Sequence, residues 1–138
     1  ANPQSFDREV IIHLKQEKIE YIVLAGFMRI LSPHFVRCYK NRIINIHPSL
    51  LPSFRGAHAI DDAWTQGVKV TGVTVHLVEE KVDHGPIIFQ KAVAIRPHET
   101  RESLEARIHQ VEHVLYPRAV DLLIHGRLKV AGRKVTIV

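Results

Sequence analysis

Short apolar runs recur along the chain, separated by segments of more mixed composition. Four of these runs are rich in Val, Ile and Leu, which is typical of strands buried on both faces of a sheet. They occupy residues 21–25, 43–46, 70–78 and 87–95. Such runs predict a mostly parallel sheet, in which ligands lie beyond the carboxyl ends of the strands. The candidate site loops are therefore residues 26–32, 47–56 and 79–86.

Apolar residues at helical spacing fill the segments between the runs. Ser5 is a predicted N-cap, and Ser32-Pro33 predicts the start of a second, short helix. A third helix is expected over residues 57–66, with Gly67 as its C-terminal stop. The pattern thus places a helix after most of the predicted strands.

The C-terminal third of the chain predicts one long helix and then a hairpin. Thr100 is the expected cap, Gly126 the expected end, and Pro117 is expected to kink or interrupt the helix. Residues 128–138 are expected to form the hairpin. Strands that alternate with helices in this way predict one α/β domain over residues 1–138.

Composition narrows the class of partner. The longest apolar run is far shorter than the roughly 20 residues of a membrane span, and no signal peptide is visible, so no membrane partner is expected. The single Cys38 fits a reducing cytoplasm. The net charge of +5 favours anionic partners, but Lys and Arg are scattered along the chain. Scattered charge indicates a small anionic metabolite and no nucleic acid.

The segment around Asn45 carries the chemistry that is easiest to interpret. Asn45 and His47 are two apart on a predicted strand, so their side chains share one face. Pro48 keeps His47 extended and ends the strand. An amide and an imidazole side by side can stabilise an oxyanion and move a proton, which suits attack on an acyl or formyl carbon. Asp83, on a turn-forming loop, is the candidate carboxylate that would hold the imidazole in its charged form.

The sequence offers no clear nucleophile. Ser49 lacks the Gly-x-Ser-x-Gly setting, and Cys38 has no base beside it on its predicted helix. Direct transfer between two bound substrates is therefore expected, without a covalent enzyme intermediate. His76 alternates with apolar neighbours on a strand and is interpreted as structural or as a supporting residue next to the site. From spacing alone, a purely structural role for His47 also remains open.

Two further classes of function stay open on the residues alone. His109 and His113 lie four apart on a predicted helix and could hold zinc in a hydrolase, although no third ligand is evident. A module that binds a ligand or a partner without catalysis is the other alternative.

Four ordered motifs resemble one known family. The segment from Asn45 to Pro52, followed by Phe54-x-Gly56, resembles the signature of the formyltetrahydrofolate-dependent formyltransferases. Three more stretches resemble the branch of that family that formylates a glycinamide in purine synthesis. These stretches are residues 23–32, 71–76 and 112–117. The resemblance runs from about residue 5 to about residue 129 without a large gap.

The resemblance implies a three-layer Rossmann-like fold and transfer of a formyl group from 10-formyltetrahydrofolate, the co-substrate, to the amine of a phosphoribosylated glycinamide. The implied reaction requires no metal. Asn45 would bind the formyl oxygen, His47 would stabilise the tetrahedral intermediate, and Asp83 would pair with His47 and help move protons. The implied folate-binding residues are Met28, Arg29, Ile30, Leu31, Asn45, Glu79, Glu80, Lys81, Val82 and Asp83. The implied contacts to the glycinamide substrate are His109, Gln110, Val111 and Glu112.

The chain departs from the family pattern at its N-terminal end. Members begin with a strand and a Gly-x-Gly-Ser-Asn loop that holds the substrate phosphate, and this sequence has neither. An incomplete catalytic domain, monomeric or homodimeric and with weak or no activity on its own, is therefore expected. Within the family, an enzyme similar to methionyl-tRNA formyltransferase and a formyltetrahydrofolate hydrolase are the alternatives; the segment from Glu112 to Pro117 favours the glycinamide branch over both.

Overall fold

The computed structural model describes residues 3–25 and 31–138, with side chains from Phe6 onward. Helices and strands alternate along this part of the chain, as the apolar pattern predicts. The helices are α1 (Pro3–Gln16), α2 (Pro33–Cys38), α3 (Ala59–Gln66) and α4 (Arg101–Ile124). The strands are β1 (Ile22–Val23), β2 (Ile43–His47), β3 (Val70–Leu77), β4 (Ile87–Ala94), β5 (Leu128–Ala131) and β6 (Lys134–Ile137).

The strands of the described chain form one mixed sheet in the order β1-β2-β3-β4-β6-β5. Only the β1–β2 and β4–β6 pairs are parallel, and the other three pairs are antiparallel. The expectation of a mostly parallel sheet is therefore wrong for this part of the fold. Continuous apolar runs report burial on both faces, and β3 is buried from Thr71 to Leu77 although it pairs antiparallel to both neighbours. The short β3–β4 connection also leaves no room for a parallel crossover.

Helices cover both faces of the sheet and so give three layers. Ile43 packs with Phe35 and Tyr39 of the α2 segment and with Ile11 of α1. Its neighbour Ile44 points to the opposite face and packs against α4. Neighbouring residues of a strand face opposite sides, so the alternation along β2 assigns α1 and α2 to one layer and α4 to the other. Each fully buried Ile, Leu or Val contributes about 1.5–3 kcal/mol to folding.

Most predicted helix ends are confirmed by the local geometry. The Ser32 hydroxyl accepts a hydrogen bond from the Phe35 amide, and Pro33 is the first residue of α2. Thr100 caps α4 in the same way through the amide of Ser103. Gly67 ends α3 in the left-handed conformation, which costs glycine no strain. The predicted cap at Ser5 is wrong, because α1 is already helical at Pro3.

Helix α4 runs through Pro117 without a break, contrary to the predicted interruption. Proline removes one backbone hydrogen bond and crowds the carbonyl four residues earlier. Here apolar packing holds the helix on both sides of that defect, since Leu104 and Ile108 are buried before it and Ala119 and Leu123 after it. The predicted C-terminal hairpin is confirmed as β5 and β6.

Candidate active site

A cavity of about 730 Å³ opens between β2, β3, the loop after β3 and helix α4. Predicted site residues from all these elements line it. They are Leu31, Asn45, His47, His76, Glu79, Glu80, Val82, Asp83, His109 and Glu112. Positions that were distant in sequence, such as Asn45 and Glu112, thus face one space large enough for a small-molecule substrate.

Some predicted residues do not line the cavity. Val111 packs in the core cluster under α4, and Gln110 is exposed, because residues one and two positions after His109 turn away from its helix face. Lys81 is exposed on the loop and is not among the lining residues. Met28, Arg29 and Ile30 lie outside the described residues.

His47 lies at the end of β2 with only 5 % of its surface exposed. Its Nε2 is 2.7 Å from the carbonyl oxygen of Phe54, and because a carbonyl can only accept, Nε2 donates. Its Nδ1 lies 3.6 Å from Oδ1 of Asp83. The carboxylate therefore faces the nitrogen that carries no proton in the neutral tautomer, so the contact becomes an ion pair only when His47 is protonated.

The carboxylate of Asp83 is held from the loop that follows β2. Its Oδ2 accepts a hydrogen bond of 2.9 Å from the amide of Gly56, and the Arg55 side chain donates to its backbone carbonyl. Asp83 itself has a left-handed backbone (φ 56), a conformation that aspartate tolerates better than most residues. The two loops after β2 and β3 are thus joined at the carboxylate, which fixes its direction toward His47.

His76 on β3 faces the same carboxylate from the other side. Its Nδ1 is 3.0 Å from the carbonyl of Leu77 and donates to it, while its Nε2 lies 3.9 Å from Oδ1 of Asp83. That Nε2 is buried and has no hydrogen-bond partner among the described atoms. Burial lowers the pKa of His76 below its usual value, partly offset by the Leu77 carbonyl and Asp83. Both imidazoles therefore turn toward one carboxylate the ring nitrogen that does not donate to a backbone carbonyl.

Asn45 stands beside this group and offers the free donor. Asn45 pairs with His76 across β2 and β3, and its side chain lines the cavity. No other described residue takes up its amide. An uncharged N–H donor that is not used by the protein is suited to bind a carbonyl oxygen and the oxyanion formed from it.

The loop after β2 is pinned by Thr74 of β3. The Thr74 hydroxyl donates to the carbonyl of Ser49 and accepts from the amide of Leu51. The Ser49 hydroxyl donates in turn to the carbonyl of Ser53. Because this hydroxyl is occupied, the structure supports the expectation that Ser49 is not a nucleophile. This network holds the carbonyl of Phe54 in the position at which it accepts the hydrogen bond from His47.

Close packing at Gly85 sets the position of the Asp83 loop. A Cβ atom on Gly85 would lie 1.5 Å from the carbonyl oxygen of Leu77. No side chain can be accommodated at that distance. The backbone of Leu77 and Pro86 is also hydrogen-bonded there. Glycine at this position therefore lets the loop fold back over β3 and brings Asp83 to both imidazoles.

Helix α4 forms the opposite wall of the cavity. His109 contacts the carboxylate of Glu112 at 2.6 Å and that of Glu105 at 3.4 Å. The hydrogen bond with Glu112 raises the pKa of His109. Tyr116 ties this wall to the sheet, because its hydroxyl reaches the carbonyls of Leu24 and of Ile44, the latter at 3.0 Å. Burial raises the pKa of Tyr116, so its hydroxyl stays protonated and donates.

The described lining is acidic although the whole chain carries a net charge of +5. Four carboxylates line it, and none of the described lining residues is Lys or Arg. The carboxylates are those of Glu79, Glu80, Asp83 and Glu112. The basic balance of the sequence, interpreted as help for an anionic metabolite, does not extend to this described surface. A ligand group with positive charge or N–H donors fits the described surface better.

The structure also bears on the zinc alternative. Over residues 3–25 and 31–138, no three His, Cys, Asp or Glu residues are grouped so that they could hold a metal ion. The ring nitrogens of His109, one of the two proposed ligands, are occupied by Glu112 and Glu105. As to membranes, no helix of the described chain is long and apolar enough to cross one.

Sequence reasoning missed contributors that act through the backbone. The amide of Gly56 and the carbonyl of Phe54 hold Asp83 and His47, and neither is visible from residue type. Tyr116 and Pro117 also line the cavity. They belong to a family-like motif but were not predicted as site residues. Their helical spacing from His109 and Glu112 was the available signal.

Comparison with known proteins identifies the family of the chain. A family model described as formyl transferase matches residues 1–120. Phosphoribosylglycinamide formyltransferase of Bacillus subtilis (strain 168) is 46 % identical over 123 residues, which cover 89 % of this chain and 63 % of the relative. The chain therefore spans less than two thirds of that relative's length.

Solved structures give the same result for the fold. Glycinamide ribonucleotide transformylase 1 of Symbiobacterium toebii superposes with a TM-score of 0.94 at 43 % identity, over 99 % of this chain and 65 % of that one. A formyltetrahydrofolate deformylase of Pseudomonas syringae pv. tomato superposes with a TM-score of 0.87 at 35 % identity, over 94 % and 44 %. The predicted α/β formyltransferase fold is confirmed, and the chain belongs to the formyl transferase family.

Proposed function

We propose that this chain is the catalytic part of an enzyme that moves a formyl group from 10-formyltetrahydrofolate to the amine of phosphoribosylglycinamide. The choice of substrates is supported by the similarity to a phosphoribosylglycinamide formyltransferase and a glycinamide ribonucleotide transformylase. The observation that carries the proposal is the convergence of Asn45, His47 and Asp83 on one cavity. No metal is required by this donor set.

The reaction begins with attack of the neutral substrate amine on the formyl carbon. A carbon–nitrogen bond forms, and the carbonyl electron pair moves to the oxygen. The amide of Asn45, free of protein partners, donates to that oxyanion. His47 has both nitrogens engaged, so its contribution is the positive charge it carries once protonated beside Asp83.

Collapse of the tetrahedral intermediate breaks the bond between the formyl carbon and N10 of the folate. The attacking nitrogen must lose a proton, and N10 must gain one, so no net proton is produced. Asp83 is the carboxylate that faces both His47 and His76. We assign the transfer of this proton to Asp83 and His47, with water as the carrier.

The acidic wall favours an amine as the acceptor. Glu112 on α4 lines the cavity and presents a carboxylate to the N–H groups of the neutral amine. Methionyl-tRNA would also present an amine, and the similarity to phosphoribosylglycinamide formyltransferases favours the glycinamide acceptor over it.

A direct assay tests the proposal. The purified chain is incubated with 10-formyltetrahydrofolate and phosphoribosylglycinamide, and release of tetrahydrofolate is followed by absorbance. The 138 residues alone are expected to bind the folate and to transfer slowly, and a chimera carrying the N-terminal segment of the Bacillus subtilis relative is expected to be faster. If neither protein binds folate nor transfers the formyl group, the proposal is wrong.

A hydrolase is the second candidate, because the deformylase of known structure shares this fold. In that reaction water replaces the amine, and formate is released. Omitting the amine from the assay separates the two reactions. Formate release at an undiminished rate without amine would favour the hydrolase, whereas dependence on the amine favours transfer.

A further inference from the structure

Helix α4 contains one backbone acceptor that the helix itself cannot use. Proline has no N–H, so Pro117 cannot donate to the carbonyl of His113, the partner four residues earlier. The proline ring also pushes that carbonyl outward from the helix axis. Because the helix continues to Ile124, this carbonyl lies in the interior of α4 and not at a frayed end.

The freed carbonyl belongs to the helix face that borders the cavity, because both His113 and Pro117 line it. Five lining residues belong to α4 and lie at positions i, i+3, i+4, i+7 and i+8, which is one face of a helix. They are His109, Glu112, His113, Tyr116 and Pro117. The gap between His113 and Pro117 lies on this face, and the Tyr116 hydroxyl fixes the face against β1 and β2. The helix therefore presents the carbonyl to whatever occupies the cavity.

The groups around the His113 carbonyl determine which kind of ligand group can bind to it. A carbonyl accepts from N–H or O–H groups, and the neighbouring carboxylate of Glu112 favours a positively charged donor. No Lys or Arg in the described lining competes for the position.

We propose that the His113 carbonyl, released by Pro117, is a hydrogen-bond acceptor for the amine substrate, and that Pro117 is a positioning residue for that substrate. The identity of the ligand rests on the proposed function. Donors on that substrate are its glycinamide N–H groups and its ribose hydroxyls, which share this chemistry. The folate side of the cavity is not involved, so folate binding is expected to be independent of Pro117.

Pro117→Ala tests the proposal, because alanine supplies the missing N–H and closes the helical hydrogen bond. We expect the melting temperature to rise while binding of the amine substrate weakens about 5- to 10-fold, the size of one hydrogen bond. Folate affinity and kcat are expected to remain unchanged. Val114→Ala is the matched control, since Val114 is 77 % exposed and is not among the lining residues.

A second measurement does not depend on the variant. The ¹³C signal of the His113 carbonyl is recorded in the wild-type chain during titration with glycinamide and, separately, with ribose 5-phosphate. A shift with glycinamide assigns the contact to the N–H groups, and a shift with the sugar phosphate alone assigns it to the hydroxyls. Unchanged carbonyl signals in both titrations, or equal amine affinity in Pro117→Ala and wild type, would overturn the proposal. Loss of the proposed function would show differently, as absence of folate binding and formyl transfer.

Discussion

Two histidines on opposite walls of the cavity have opposite electrostatics. His76, on β3, is buried, donates to the carbonyl of Leu77, and has its pKa lowered by desolvation. His109, on α4, is half exposed and contacts the carboxylate of Glu112, whose hydrogen bond raises its pKa. The same side chain is therefore held neutral on one wall and favoured as a cation on the other.

We interpret the difference as a division of tasks in the proposed reaction. On the sheet side, backbone groups fix the imidazoles of His47 and His76 in single tautomers around Asp83. Backbone positions are rigid, which suits the control of a proton. On the helix side, the partners of His109 are the partly buried carboxylates of Glu112 and Glu105, which line or border the cavity and can exchange for a ligand. Changes on the sheet side should therefore affect the chemical step, and changes on the helix side should affect binding.

The largest expected effect is on the chemical step. His47→Ala and Asp83→Ala should each lower the rate of formyl transfer by about 10² or more, because the proton and oxyanion roles are lost. Asn45→Ala should lower it by a similar factor. Glu112→Gln on the helix wall is the contrasting variant and should raise KM for the amine with little change in kcat. Survival of transfer within a few fold after loss of both His47 and Asp83 would contradict the assigned roles.

Gly85→Ala should damage the sheet side through packing alone. The new methyl group would lie 1.5 Å from the carbonyl of Leu77, so the loop must move, at a cost of about 1–3 kcal/mol of folding free energy. Urea unfolding measures this loss. Gly67→Ala controls for backbone strain without a clash, because a Cβ there meets nothing within 4 Å. An unchanged free energy of unfolding in Gly85→Ala would show that the close approach at Gly85 is not what limits the loop.

Stability against pH should separate the two histidines. The ordinary pKa of histidine is 6.5, and folding lowers the pKa of His76, which faces Asp83, His47 and Glu79. The unfolded state then holds more protons below pH 6.5, so the stability linked to His76 is complete above that value and is lost as pH falls through the folded pKa.

The sign for His109 is opposite. Its folded pKa is raised by Glu112 and Glu105, so its stabilisation is complete below pH 6.5 and is lost as pH rises through the folded pKa. Thermal melts of wild type, His76→Gln and His109→Gln across this window measure both trends. Parallel curves for the two variants would contradict the contrast between the walls.

The smallest effect is expected at the outer support of the Asp83 loop. Arg133 on the β5–β6 turn contacts Glu79 at 3.4 Å and donates to the carbonyl of His84, but its side chain is 65 % exposed. Exposed pairs of this kind contribute about 0–1 kcal/mol. Arg133→Ala should therefore change the free energy of unfolding by less than about 1 kcal/mol, measured in urea, and leave kcat unchanged. A larger loss of unfolding free energy would show that the β5–β6 hairpin helps to stabilise the Asp83 loop.

Local signals in the sequence were enough for much of the fold and for the centre of the site. Ser32-Pro33 and Thr100 predicted helix starts correctly, because capping depends on residues within one turn. The two-residue spacing of Asn45 and His47 placed both on the face that lines the cavity. Asp83 could be placed with them only through the family resemblance, since a loop carboxylate in sequence gives no direction.

Long-range geometry accounts for what the sequence did not predict. The mixed strand directions depend on how β3 meets β2 and β4, and burial alone does not encode that. Helical spacing alone does not define which side of α3 faces inward: Ala59 and Ala63 are buried, whereas the larger Trp64 is 36 % exposed. The unpartnered Nε2 of His76 arises only when the Asp83 loop folds back over β3.

The hydrogen bond from the Gly56 amide to Asp83 gives the site a built-in reporter. The proton of that amide is held by one oxygen of the carboxylate whose other oxygen faces both imidazoles. Protonation of Asp83, arrival of a ligand or displacement of either loop would each alter the electron density around this single proton. Gly56 is exposed and has no side chain, so its amide resonance would follow the charge state of Asp83 during titration or turnover with no label added near the reacting groups.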